Sequence, residues 1–185
     1  VPYPLFSMAA LVPWTFFANT MTQAANTVVI DANMIRKIYF PRLLMPAASI
    51  VAGMPDLLLA LGVLFGLLAY YGWSLSANVI LLPLLVLLTM ITSLGTGLWL
   101  AALNVQFRDV RYAIPFLVQA WLFATPIAYP SSLIAEPWRT LYGLNPMAGV
   151  VEGFRWALLG AVAPPWAMIA LSGLVALAIL LSGAF

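Results

Sequence analysis

The stretch LLLALGVLFGLLAYYGWSLSANVILLPLLVLLTMITSLGTGLWLAALNVQF (Leu57–Phe107) runs for 51 residues without a charged side chain. A helix that crosses a bilayer needs about 20 mostly apolar residues, so this stretch has room for two. YYGWSLSAN (Tyr70–Asn78) divides it. The Gly, Ser and Asn read as a turn, and Tyr70, Tyr71 and Trp73 suit a membrane–water interface. Helices are the expected spanning structure, because lipid satisfies no open strand edge and the pattern does not alternate as a barrel would.

Working outward, Val1–Ile30, Tyr112–Ala135 and Trp156–Phe185 also lack charge. Five spans result: Leu5–Thr27, Leu43–Tyr71, Val79–Leu103, Ala113–Tyr129 and Trp166–Phe185. The fold class is an all-α integral membrane bundle. Pro46, Pro55 and Pro126 predict kinks or breaks in the second and fourth spans. Alternating the spans sorts the connections into two sides. One side carries Arg36, Lys37, Arg42, Arg108 and Arg111; the other carries only Arg139 and Arg155. The positive-inside rule puts the first set in the cytoplasm and the N-terminus outside. The chain opens on Val1 without a visible signal peptide and stops inside an apolar run. The expectation is a fragment lacking at least one span before Val1 and a cytoplasmic tail after Phe185.

Composition narrows the chemistry. Of the 185 residues, 65% are apolar and 6% are charged, with seven Lys plus Arg, five Asp plus Glu, no His and no Cys. Soluble domains carry about 25% charge, so soluble, disordered, disulfide-bonded and zinc-binding classes are excluded. A His base and a Cys nucleophile are impossible, and no metal site and no catalytic residue is expected. The chain holds no GxxxxGKS or GxxxxGKT phosphate-binding loop, so energy for any pumping must come from another polypeptide.

Within the spans, Thr89, Ser93, Gly97 and Ala101 form a row of small residues, and Gly62 and Gly66 form a GxxxG pair; both permit close helix approach. Thr15, Asn19, Gln23 and Asn26 make a polar stripe with helical spacing on the first span. It faces either interhelical partners or a pathway. Asp56 is the single acid near the middle of a span; a cap on a helix broken at Pro55 is the preferred reading. Asn145-Pro146 reads as a helix start. The helix that follows is too short to span, and its Glu152 and Arg155 have the i, i+3 spacing of an ion pair. Sugars bind aromatic faces, so Trp14, Phe16 and Phe17 on the first span and Trp121, Phe123 and Tyr129 on the fourth are candidate lining for a sugar path. An interfacial belt or lipid packing is the competing reading.

The segment ANMIRKIYFPR (Ala32–Arg42) is short, basic and amphipathic, suited to anionic headgroups or to a soluble partner. NMIRKIYFPRLLMP (Asn33–Pro46), NVQFRDVRYAIPF (Asn104–Phe116), TPIAYP (Thr125–Pro130), LNPMAGVVEGFRWALLG (Leu144–Gly160) and PWTFF (Pro13–Phe17) together resemble the permease subunits of ABC-2-type exporters of O-antigen, capsular polysaccharide and teichoic acid. The motifs keep their order and cover about Pro2 to Gly160.

The resemblance implies a single ABC-2-type transmembrane domain over 1–185, a coupling helix at 32–42 and a re-entrant extracytoplasmic region at 130–160. The family's six spans imply that the first is missing here. Contacts to an ATPase partner fall on Met34, Ile35, Arg36, Lys37, Ile38, Tyr39, Phe40, Pro41 and Arg42, and on Arg108, Asp109 and Arg111. Two ATPase subunits, self-association as a permease homodimer, a lipid-linked glycan substrate in the bacterial inner membrane, and ATP and Mg held by the partner are likewise implied. The substrate path would take Asn19, Gln23 and Asn26 with Trp14, Phe17, Trp121, Phe123 and Tyr129. An ABC-2 drug or lipid exporter is the nearest alternative. An ion-coupled carrier and a membrane glycolipid enzyme are less favoured, because ionisable groups are sparse and scattered.

Overall fold

The computed structural model describes residues 2–30, 43–107, 109–129, 138–160 and 164–184. The expected coupling helix at 32–42, with Arg108 and all of 130–137, lies outside the described residues.

Helix α1 (Tyr3–Ile30) carries Pro13 inside it. Its threonines tuck their hydroxyls onto the preceding turn: Thr20 Oγ1 donates to the Phe16 carbonyl at 2.7 Å and Thr22 Oγ1 to the Ala18 carbonyl at 2.6 Å. A polar side chain in a membrane helix is satisfied this way without a neighbour.

The second span is two helices, α2 (Leu44–Ala52) and α3 (Met54–Tyr70), parted at Gly53. Pro55 sits in the first turn of α3, where its missing N–H costs nothing. Gly53 is required by a close approach: a Cβ there would lie 2.6 Å from Thr20 Cγ2 of α1. Pro46, by contrast, is accommodated within α2.

A 3-10 turn (Ala77–Leu81), capped by Ser76, leads into α4 (Leu82–Gln106). Thr89, Ser93, Gly97 and Ala101 are all buried. At Gly97 a Cβ would come 2.7 Å from Ala24 Cβ of α1. The small-residue row is therefore the seam between α1 and α4, the most extensively packed pair. Gly62 and Gly66 are exposed and touch nothing within 4 Å among the described residues.

Helix α5 (Val110–Ala124) stops just ahead of Thr125-Pro126, as the bias against αR before proline predicts. A short helix α6 (Trp138–Leu141), a 3-10 turn (Tyr142–Leu144), α7 (Pro146–Leu159) and α8 (Trp166–Ala184) complete the chain. Helix α8 packs on the far side of α4, and α7 is wedged among α1, α4 and α8.

All described secondary structure is helical. Among the described residues, three helical stretches are long and apolar enough to cross a membrane: Leu44–Tyr70, Ala77–Gln106 and Trp166–Ala184. Helix α1 has 28 residues but a polar face, and α5 has only 15. Each of the five expected spans thus corresponds to helix, and three meet both length and hydropathy.

Contacts group the ends of the helices. Asn104 Nδ2 donates to the Ala25 carbonyl at 3.1 Å, so α1 and α4 finish on one side. On the other side Trp73 Nε1 donates to the Leu159 carbonyl at 3.3 Å, and Trp156 stacks edge-on against Trp166 with ring centroids 5.1 Å apart. This tryptophan cluster suits the outer interface.

Candidate re-entrant helix and polar groove

Helix α7 begins as its sequence dictates. Asn145 is the N-cap, and its Oδ1 accepts the Met147 N–H at 3.1 Å, while Pro146 fills the first helical position. The same Oδ1 accepts the Trp121 indole N–H at 2.9 Å. Asn145 Nδ2 donates to the Ala124 carbonyl at 3.2 Å and to Thr125 Oγ1 at 3.0 Å. One side chain therefore caps α7 and clasps the end of α5.

Ser172 of α8 locks the other side of this start. Its hydroxyl lies 2.9 Å from the Gly143 carbonyl and accepts the Gly149 N–H at 3.1 Å. Ser172 is six residues past the start of α8, or about 9 Å down its axis. At its far end α7 closes on Gly160 in the left-handed conformation, φ 62°, against Ser76 of the outer turn. Helix α7 thus starts inside the bundle at Asn145 and ends at Gly160, beside the turn that precedes α4. All of Pro146–Leu159 is buried.

Arg155 is the hub of that return. Its Nη1 lies 2.8 Å from Glu152 Oε1, with the two residues 5% and 8% exposed. The guanidinium also donates to the carbonyls of Pro126, Ile127, Tyr129 and Phe6. The Phe6 ring sits 3.7 Å from its Cζ. A buried cation is tolerable only when its donors are met, and here the fork meets a carboxylate and four carbonyls. Nearby, the Tyr129 and Tyr142 hydroxyls are 2.6 Å apart. Burial, reinforced by that hydrogen bond, pushes the Tyr142 phenol up to about 12.

The polar stripe of α1 divides. Asn26 turns inward: Asn104 Nδ2 donates to its Oδ1 at 3.1 Å. Thr15, Asn19 and Gln23 are exposed and line a groove with Thr20, Gly53 and Asp56. Asp56 does not cap: Gly53 is the N-cap of α3 and no side-chain cap is made, because the break falls before Pro55. The carboxylate instead joins the groove.

The aromatic candidates also separate. Trp14 and Phe17 are 2% and 0% exposed, so their rings are core packing; Phe17 meets Trp121 edge-on at 5.1 Å. Trp121 and Tyr129 are half-buried, tied to Asn145 and Tyr142. Phe123 is 70% exposed. Asp109 and Arg111 are exposed at the start of α5. Among the described residues, no three His, Cys, Asp or Glu side chains converge as metal ligands. Sequence reasoning missed Ser172, Asn104 and the carbonyl cluster around Arg155. No local spacing signals them, since each bridges segments far apart in sequence.

The family model for ABC-2 type transporters matches residues 4–159, from the first turn of α1 to the last residue of α7. The chain belongs to the ABC-2 type transporter family. It is 31% identical over 155 residues to the O-antigen export system permease protein RfbA of Myxococcus xanthus, covering 83% of this chain and 60% of that protein. A Klebsiella pneumoniae protein of the same name is 26% identical over 161 residues, covering 86% of this chain and 62% of the relative. A second from that organism is 27% identical over 154 residues, covering 83% and 60%. The chain therefore spans about three-fifths of the length of these relatives. Family and apolar helices together make it a multi-pass protein of the bacterial inner membrane.

Proposed function

We propose that this chain is the membrane domain of a permease that exports lipid-linked polysaccharide of the O-antigen type, driven by a separate ABC ATPase. The observation that carries the reading is its likeness, over more than four-fifths of its length, to proteins named as O-antigen export permeases. In this reading two copies of the permease pair with two ATPase subunits, and ATP and Mg bind only to the latter. The segment Met34–Arg42 receives the stroke of the ATPase, assisted by Arg108, Asp109 and Arg111. Domain bounds of 1–185, with coupling at 32–42 and re-entry within 130–160, belong to the same proposal.

The geometry supports a division of labour. Helix α7 is a fixed outer plug, satisfied on every side by Ser172, Asn145 and Arg155. Helix α5 joins the expected coupling region at Asp109–Arg111 to the Arg155 cluster at Pro126–Tyr129. A push on its inner end is transmitted to the carbonyls that Arg155 holds. Transport then follows from moving α5 against α7.

The test is complementation. A strain that lacks its own O-antigen permease regains surface polymer when the full-length protein and its ATPase are supplied. Changing Arg36, Tyr39 and Phe40 together to Ala abolishes export and ATPase association. Normal export and assembly by that triple variant would overturn the coupling assignment. Failure of the unaltered pair to move any glycan would overturn the substrate class.

A further inference from the structure

Resting on the export reading above, we propose that the groove between α1 and α3 is a wet binding track for sugar hydroxyls, with Asp56 as the residue that selects against anionic polymers. Asp56 lies near the middle of the 27-residue span Leu44–Tyr70, and Asn19 near the middle of α1. Both therefore sit deep in the bilayer. Thr15, Asn19, Gln23 and Asp56 are exposed and line one cleft. Among the described residues, the side chains of Asn19, Gln23 and Asp56 make no hydrogen bond within the chain. A carboxylate facing hydrocarbon is costly, and unpaired amides add to that cost. Such groups face water or a polar ligand instead.

The lining says which ligand. Among the described residues, the acidic side chain in that lining is Asp56, whose oxygens accept hydrogen bonds, and no cation lines the cleft. Phosphate and carboxylate groups are repelled, whereas hydroxyl donors are welcomed. The amides of Asn19 and Gln23 supply both donors and acceptors. From Thr15 to Gln23 the polar groups repeat every turn over about 12 Å, which suits a chain of polar units. A dehydrated metal ion needs about six or more converging oxygens, and the described lining offers a single carboxylate.

These 185 residues contain no Cys, so single-cysteine variants of the full-length permease with its ATPase, any cysteine elsewhere in either protein changed to Ser, report on the groove. Asn19→Cys is treated in membranes with cationic and with anionic methanethiosulfonates. Both react, and the cationic reagent reacts faster by about fivefold relative to a free thiol, the ratio that about 1 kcal/mol of Coulomb attraction produces. Adding Asp56→Asn brings the ratio to about one, and polymer trapped by a hydrolysis-dead ATPase slows both reactions. Thr15→Cys repeats the measurement where Asn19→Cys fails to assemble. Leu59→Cys, on another face at similar depth, resists both reagents. A cysteine at 19 or 15 that takes uncharged maleimide but neither charged reagent overturns the track, while export of polymer by the unaltered complex leaves the export reading standing. In the export assay, Asp56→Asn raises the ratio of anionic to neutral polymer exported, and Asp56→Glu restores the original ratio. An unchanged ratio overturns the selective role.

Discussion

Helices α7 and α5 have 14 and 15 residues, and their surroundings differ completely. Every residue of α7 is buried; in α5 only Ile114 is. Helix α7 is gripped by Ser172 at its start and, through Arg155, by four carbonyls near its end. Helix α5 is held mainly where Trp121, Ala124 and Thr125 meet Asn145. One helix is framework, and the other is a rod pinned at its outer end. Side-chain packing fixes the first, and a few polar clasps fix the second.

The largest expected effect comes from cutting the clasp that joins them. Arg155→Leu leaves Glu152 buried without its partner and frees the carbonyls of Pro126, Ile127 and Tyr129. Breaking a buried pair from one side costs about 3–5 kcal/mol, so the protein should unfold earlier in detergent and lose assembly. Arg155→Lys keeps the charge but not the fork, and should recover only part of the loss. An Arg155→Leu protein as stable as the original would break the contrast drawn above. Next in size is Gly149→Ala. Its Cβ would lie 2.5 Å from Ser172 Oγ, and overpacking of this kind costs about 1–3 kcal/mol. Combining it with Ser172→Ala should recover little of the loss, because Ser172 Cβ at 2.7 Å and the Met168 carbonyl at 2.8 Å still crowd the new methyl.

Much of this contrast was legible in the sequence, and its limits are physical. Apolar runs and turn residues located all five helical segments to within a few residues. Asn145-Pro146 predicted a helix start, and the structure has that cap. Glu152 and Arg155 have pairing spacing and lie 2.8 Å apart. Direction was not legible. A ring at Phe17 has the same local pattern whether it faces a lumen or the core, and contact with Trp121 from another helix decides it. Asp56 read as a cap because Pro55 precedes it, yet the helix breaks at Gly53, where α1 comes closest. Nothing in the spacing of α1 places Asn19 beside Asp56; only the packing of two spans does so. The carbonyls around Arg155 carry no side-chain signature at all.

Asn145→Ala sharpens the comparison from the side of the pin. It removes the cap of α7 and the clasp on α5 at once. Loss of an N-cap costs about 0.5–2 kcal/mol, and the Trp121 indole loses its acceptor as well. Indole fluorescence of Trp121 should shift, and export should fall more than thermal stability does. Asn145→Asp keeps the acceptor for Met147 and Trp121 but loses the donors to Ala124 and Thr125, so it should preserve α7 and release α5.

A smaller effect is expected at Tyr142. Its raised value means the neutral phenol is favoured in the folded protein. That contribution is fully present below the ordinary tyrosine value of about 10 and is lost as pH rises through about 12. Stability of the outer cluster should therefore be flat at neutral pH and fall only in strong alkali, and Tyr142→Phe should remove that alkaline dependence at a cost of about 1 kcal/mol.

The smallest effect on fold stability belongs to Phe116→Ala. Phe116 is 78% exposed on α5, and exposed substitutions away from special contacts stay within about 0.5 kcal/mol. A rod pinned at one end owes its fold to helix propensity and to its clasp, so trimming its outer face leaves the isolated chain nearly unchanged. The same change in the assembled complex is the sharper measurement. If a second permease copy covers that face, as the homodimer reading expects, Phe116→Ala lowers the temperature at which the complex dissociates while leaving monomer unfolding where it was. Equal, large losses in both measurements would mean that α5 is packed as firmly as α7, and the distinction between framework and rod would fall.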